Sequence, residues 1–314
     1  MKISTIISTY SMDRLKDTEE AIDSVLMQTH FDKEILVVMG DNEELFRCLD
    51  LKFGNRIKLI VCKTKGLSAA RNTGIENSSG EIVAFMDDDA LADPYWLESI
   101  SKIFEAEPKT GAVTGTIEPL WMGKNSDWLP EQLFWTVSCT YMEIPDGSLV
   151  MNLIGTNMAF QREIFNQGFK FSEKLGAKEK WNLKNDAWVQ TCNLVGEERD
   201  FCIRLIEKGW YIRFSSGAKV YHRVYGYRIT LKNLMKRGYW EGFSKGLLAK
   251  YHTNSDVLAT ERDFLMHIAK SLALTGRGRG TVRIRQVWSI LLTSGAVLCG
   301  FFHFKISGHQ KFME

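Results

Sequence analysis

Asp87-Asp88-Asp89 is the densest run of potential chemistry in this chain. Three adjacent carboxylates repel one another, so an ion is their natural compensation. Carboxylate oxygens suit the hard cations Mg²⁺ and Mn²⁺, which in turn bridge to phosphate oxygens. The run directly follows the apolar stretch Glu81–Met86, and open α/β sheets place their ligands at the carboxyl ends of parallel strands. A solvated acidic turn capping the next helix is the competing reading. A second acidic pair, Glu197-Glu198, opens a helical stretch, a position that the helix dipole alone favours for carboxylates. Asp200 lies four residues before Arg204, the favourable order for a structural ion pair along a helix.

The elements that must hold these groups follow from the apolar pattern. Ile3–Ser8, Glu34–Met39, Ile57–Cys62 and Glu81–Met86 are short, largely apolar runs separated by helical segments such as Asp17–Gln28. Such runs suit strands buried on both faces of a mostly parallel sheet. Asp93-Pro94 reads as the N-cap and first turn of a helix, and Ala112–Glu118 as the next strand. Arg162–Gln167 and Glu197–Lys208 read as helices, and Tyr211–Ser215 and Lys219–His222 as two strands. Beyond residue 226 the pattern is mostly helical. The fold class expected is therefore α/β, with helices flanking the sheet and a basic helical region at the C-terminus.

The net charge of +2 hides an asymmetry. Residues 1–222 carry 25 Lys and Arg against 33 Asp and Glu, whereas residues 223–314 carry 15 against 5. That balance disfavours a nucleic-acid binder that is basic throughout, and suggests an anionic surface as partner of the second part. The six cysteines form no C-x-x-C pair, so neither a zinc site nor a disulfide framework is expected. The N-terminal Met1–Ser8 has no signal-peptide core and reads as a strand, which implies a cytoplasmic catalytic part.

Lys65–Gly74 (KGLSAARNTG) followed by Gly80–Asp89 (GEIVAFMDDD) resembles the family 2 glycosyltransferases with a GT-A fold. Ser4–Tyr10 (STIISTY) is similar to that family's opening strand, with Ser8 in place of the usual proline. The resemblance implies a nucleotide-sugar donor, with UDP the expected carrier, and a Mn²⁺ or Mg²⁺ cofactor. Thr9 and Tyr10 would lie by the base, Asp41 by the nucleoside and Arg71 by the diphosphate; the alternative for Arg71 is a helix-surface ion pair. Asp87, Asp88 and Asp89 form the acidic donor motif, with Asp87 and Asp89 at its matching positions and Asp89 the direct metal ligand. Leu153–Phe160, with Gly155, resembles the turn and strand beside the donor sugar. Gly196–Leu205 resembles the motif that supplies the catalytic base, which takes the proton from an acceptor hydroxyl. Glu198 is the base in this reading, with Glu197 the competitor. His222 matches a position near metal and diphosphate, although a lone histidine ending a strand is more often a packed residue.

Trp128–Trp135, Tyr225–Thr230 and Arg237–Lys245 narrow the resemblance. Together they are similar to the archaeal glucosyl-dolichyl phosphate glucuronosyltransferases, which implies a hexuronate donor and a lipid-linked acceptor in glycan assembly. Arg223, Arg228 and Trp240 belong to a basic and aromatic mixture that suits a lipid-phosphate headgroup at a membrane surface; a solvated helix face explains the same residues. No nucleic-acid motif accompanies it. Val287–Phe302 has no charged side chain, but at about 16 residues it falls short of a comfortable span. An interfacial helix behind Arg277, Arg279, Arg283 and Arg285 is expected, on the cytoplasmic side, with a short span as runner-up and a helix buried against the catalytic domain as the third reading. Gly276–Gly280 (GRGRG) has no preceding strand and is no dinucleotide loop. The expected division is a catalytic domain over 1–224 and a basic, membrane-associating region over 225–314. A sugar-phosphate nucleotidyltransferase is the alternative enzyme, although Thr9–Met12 lacks the glycine its triphosphate loop would need. A non-catalytic carbohydrate-binding protein is the third class.

Overall fold

A computed structural model describes residues 1–123, 128–175, 178–182, 187–192, 195–252 and 281–307. Its centre is an eight-stranded sheet built from β1 (Ile3–Thr9), β2 (Lys33–Met39), β3 (Lys58–Val61), β4 (Ile82–Asp87), β5 (Ala90–Ala92), β6 (Thr110–Trp121), β7 (Met158–Gln161) and β10 (Tyr211–Val224). The strand order is β3-β2-β1-β4-β7-β6-β10-β5. β8 (Lys178–Asn182) and β9 (Ala187–Cys192) form a separate antiparallel pair. Helices α1 (Leu15–Leu26), α2 (Glu43–Phe53), α3 (Leu67–Glu76), α4 (Trp96–Ala106), α5 (Arg162–Asn166) and α6 (Glu197–Glu207) follow the strands, and α7 (Leu231–Tyr251) and α8 (Thr281–Ser307) come last.

β3, β2, β1 and β4 pair in parallel. β7 runs antiparallel to both β4 and β6, so β6 shares the direction of β4, and β5 runs antiparallel to β10. The Tyr211 amide donates to the Lys109 carbonyl and the Met122 amide to the Val224 carbonyl, which aligns β10 in parallel with β6; the sheet is thus mostly parallel, as expected, with β7 and β5 reversed. The register sets Ser8 beside Asp87 and Thr9 beside Met39, so β1, β2 and β4 all release their chains at one edge. Two expectations are corrected. Tyr211–Val224 is one strand, continuous through Ser216-Gly217, and α4 begins at Trp96, two residues past Pro94. The Asp93 carboxylate accepts from the Tyr95 amide at 3.1 Å, inside the turn that precedes this helix.

The core aligns the two acidic segments. Phe85 on β4, Phe160 on β7, Phe171 and Phe201 on α6 are buried together, with Phe201 centred 4.8 Å from both Phe160 and Phe171. Phe85 precedes Asp87 by two residues and so shares its strand face, whereas Phe201 follows Glu197 by one helical turn. Truncating one such ring costs about 3–5 kcal/mol. The packing thus fixes α6 against the strand that ends in the aspartates.

Contacts divide the chain into two compact units: Met1–Pro119, Ile144–Cys192 and Glu197–Arg223 in one, and Leu120–Glu143, Asn193–Gly196 and Val224–Glu314 in the other. Within the second, α7 and α8 lie side by side, and the Arg285 guanidinium stacks 4.1 Å over Trp128. Thr230 caps α7 by accepting from the Asn233 amide at 3.3 Å, as hydroxyl caps do.

Candidate active site

Asp88 and Asp89 form the turn between β4 and β5, directly after Asp87. Strand β10 closes on that turn: His222 pairs with Ala90, and the Arg223 amide donates to the Asp89 carbonyl at 2.9 Å. This delivers the His222 ring, whose Nε2 lies 3.1 Å from Asp89 Oδ1. One ligand atom each from Asp87, Asp89 and His222 falls within 4.8 Å of the others, a spacing able to hold a metal ion. The donor chemistry fits Mn²⁺ or Mg²⁺, two carboxylates and an imidazole tilting it towards Mn²⁺.

Charge balance fits a cation as well. The cation that reaches the aspartates directly among the described residues is Arg14, whose Nη1 stands 2.7 Å from Asp89 Oδ2 and 3.3 Å from Asp88 Oδ1. Burial works to lower the Arg14 pKa, but Asp88 and Asp89 outweigh it and hold the guanidinium charged. Burial and the neighbouring Asp89 push the Asp88 carboxyl above the usual carboxylate range. Its Oδ2 is buried without a hydrogen-bond partner among the described residues, a costly state for a carboxylate oxygen.

A second cluster forms around Arg71 on α3. Its Nη1 lies 3.3 Å from Glu197 Oε1 and 3.0 Å from Glu198 Oε1, and its guanidinium stacks 5.3 Å from the centre of Phe171. Burial works to lower the Arg71 pKa, but Glu198, Glu197 and Asp87 together hold it above the ordinary arginine value. Arg71 is 3% exposed, so it is a buried bridge rather than a helix-surface ion pair. Glu197 is closed off, while the Glu198 side chain keeps 19% of its surface open. Of the two, Glu198 is the one that an incoming hydroxyl can reach.

Two consecutive residues join the clusters. A Cβ on Gly155 would meet the tips of both Arg71 and Glu198, which would have to shift to admit it. The next residue, Thr156, donates its hydroxyl to Asp87 Oδ2 at 2.6 Å. Asn157 then seats this turn in the core: its side chain accepts from Trp96 Nε1 at 2.8 Å and donates to the Ala218 carbonyl at 2.7 Å.

On the donor side, Thr9 is buried at the end of β1 and shares a hydrogen bond of 3.0 Å with Thr18. Tyr10 and Asp41 are exposed at the ends of β1 and β2, on the edge where Asp87 emerges. Arg223 requires a correction. It is buried, paired with Asp17 at 3.6 Å and with Glu20, and so is withdrawn from any headgroup. Arg228 and Trp240 lie in the second unit. Arg228 is half-buried, and the Trp240 ring packs edge-on to Tyr239 and Phe243. Arg277, Arg279 and the run 276–280 lie outside the described residues, as does the Arg283 side chain.

Sequence reasoning misses Arg14 and Thr156. Arg14 is separated from Asp89 by 75 residues and carries no periodic signal. Thr156 sits beside Gly155 in the segment Leu153–Phe160, where a hydroxyl carries no signal of its own. Asp200 and Arg204 do pair along α6, at 2.8 Å.

Comparison with known proteins adds four findings. Residues 4–169 match the model of Glycosyl transferase family 2. The chain is 29% identical over 309 residues, 96% of its own length and 95% of the relative's, to a protein of Haloferax volcanii named glucosyl-dolichyl phosphate glucuronosyltransferase. A second Haloferax volcanii protein, glycosyltransferase AglE, is 34% identical over 31% of this chain and 33% of its own. Among solved structures, S. aureus TarS 1-349 in complex with UDP-GlcNAc aligns over 95% of this chain and 82% of its own, with a TM-score of 0.52 and 14% identity. That likeness establishes the GT-A glycosyltransferase fold.

Proposed function

The chain belongs to Glycosyl transferase family 2 and is a glycosyltransferase, and on that premise we propose that it transfers a hexuronate from a UDP-sugar to a lipid-linked glycan, with inversion at the anomeric carbon. The observation that carries this reading is the pair of acidic clusters joined by Gly155-Thr156. One suits a diphosphate with its cation and the other a reacting hydroxyl. The long match to a glucuronosyltransferase supports the uronate donor and the dolichyl-type acceptor.

In this mechanism Thr9, Tyr10 and Asp41 line the nucleoside end of the donor. Asp87, Asp89 and His222 would hold a divalent ion, which when bound would supply positive charge against the leaving nucleoside diphosphate. Thr156 fixes the Asp87 carboxylate, and Arg14 balances Asp88 and Asp89. Glu198 takes the proton as the acceptor oxygen bonds to the anomeric carbon and the carbon–oxygen bond to the diphosphate breaks. No acid is required on the leaving side, because the diphosphate departs as an anion. Arg71 orients Glu198, and Gly155 leaves room for the two to meet. The basic charge of residues 223–314 supports a site of action at the cytoplasmic face of the membrane that carries the acceptor.

The test is a panel of UDP-sugars with Mn²⁺ and a short polyprenyl-phosphate glycoside. Transfer from UDP-glucuronate or another uronate, with inverted configuration by NMR, is the expected result. Turnover only with neutral sugars defeats the uronate reading, and a retained configuration defeats the single displacement.

A further inference from the structure

Helix α8 has two apolar faces, and α7 covers one of them. Gly238, Gly242 and Gly246 recur once per turn along α7 and lie directly on α8. A Cβ on Gly238 would stand 2.7 Å from the Thr293 carbonyl, and one on Gly246 would stand 2.9 Å from the Phe304 ring. A Cβ on Gly242 would strike the Val297 carbonyl, and one on Gly300 of α8 would strike the Tyr239 carbonyl. Thr293 and Phe304 are buried in this seam, and the Tyr239 hydroxyl meets His303 Nδ1 beside it.

The opposite face is different. Ile284, Trp288, Leu291, Leu298, Phe302 and Ile306 are all exposed, from 49% at Leu291 to 84% at Ile306. At about 100° per residue they fall on one stripe roughly 33 Å long, with Gly295 completing it and no charged residue in it. Soluble surfaces rarely leave so long an apolar strip open. The 23 residues Ile284–Ile306 are long and apolar enough to cross a membrane.

We infer that α8 instead lies along an anionic bilayer, with this stripe seated at the boundary of headgroups and acyl chains. Crossing would draw α7 into the hydrocarbon, because the glycine seam holds the two helices backbone to backbone. α7 displays Lys232, Lys236, Arg237, Glu241, Lys245 and Lys250, which hydrocarbon excludes. Lying in the plane satisfies both helices: α7 keeps its charges in water while α8 gives its stripe to lipid. Charge complementarity names the lipid class, since residues 223–314 carry 15 basic against 5 acidic side chains and such segments are drawn to anionic headgroups. Trp288 adds a ring of the kind that settles at headgroup depth. The inference rests on the lipid-linked acceptor proposed above for its setting, but its test needs no turnover.

The experiment places a spin label, through a ketone amino acid, in turn at positions 284, 291, 298 and 306 of the full chain. Depth is read on vesicles of phosphatidylglycerol and phosphatidylcholine by oxygen against nickel-chelate accessibility. The expected result is one shallow depth at all four positions. A crossing helix gives greater depth at 291 and 298 than at 284 and 306, and overturns the inference. Water-like accessibility at every position overturns it too, as does label-to-label coupling between two copies with no lipid contact. In a parallel arm, Leu291→Asp with Leu298→Asp weakens vesicle binding by about tenfold or more. That double variant keeps its turnover on a water-soluble acceptor glycoside if the glycosyltransferase reading holds. Retained vesicle binding overturns the inference whatever the turnover, whereas weakened binding with no turnover counts against that reading alone.

Discussion

The two acidic clusters are built to opposite charge designs. At the end of β4 three aspartates face Arg14 and His222, and one buried carboxylate oxygen has no hydrogen-bond partner among the described residues. At the start of α6 two glutamates share Arg71, which a phenyl ring also supports. The first arrangement carries excess negative charge in a buried place and gains from a cation. The second sets two carboxylates against one guanidinium, a smaller excess, and that guanidinium holds both in position. In the proposed mechanism, cofactor binding and proton acceptance fall to groups whose needs differ, although all are acids.

Removing the excess charge is the strongest way to break this contrast. Asp89→Ala lowers transfer by about a thousandfold or more, since metal-assisted charge stabilisation contributes several kcal/mol. The same variant loses Mn²⁺ binding by paramagnetic resonance, while its melting profile shows that the fold survives. An Asp89→Ala protein that binds Mn²⁺ as before would falsify the ligand assignment. Next in size, Glu198→Gln costs on the order of 10² to 10⁴ in kcat, the range of a general base, and leaves Mn²⁺ affinity unchanged. Glu197→Gln costs less, because that side chain is shut away behind Arg71; equal losses in the two variants erase the distinction between them.

A smaller effect follows from the added methyl of Gly155→Ala. It pushes Arg71 and Glu198 apart and lowers kcat by roughly tenfold or more, as a misplaced base does, with donor KM little changed. A KM effect alone would move Gly155 to the donor side. The smallest change comes from Arg14→Ala, which removes the cation that competes for Asp89. Mn²⁺ then binds a few-fold tighter, about 1 kcal/mol for fivefold, at some cost in stability. Weaker Mn²⁺ binding in that variant would make Arg14 a support of the metal site rather than a competitor.

What the sequence discloses and what it withholds divide along physical lines. The strands β1, β2 and β4 are evident because burial on both faces writes itself as continuous apolar runs. The position of Asp87–Asp89 follows from the strand before them. Glu197 and Glu198 stand out because a helix begins there. Strand direction in the second half of the sheet leaves no such mark, and neither does the continuity of β10 through Ser216-Gly217. Arg223 reads as surface because basic residues follow it, yet β10 carries it under α1, where Asp17 and Glu20 pair with it. Arg14 is invisible for the opposite reason: an isolated arginine on a turn matters only once folding brings Asp89 to it.

The turn at Gly155-Thr156 sets a rule of reciprocity. One residue adjoins the Arg71–Glu198 pair and the next touches Asp87, so a peptide unit about 3.8 Å long separates the two contacts. Whatever shifts that peptide on one side is felt on the other. If occupation of the donor side tightens the hold on an acceptor by some factor, the acceptor must tighten the donor by the same factor. A two-substrate enzyme with such a hinge has no need of a moving domain to make its sites consult each other.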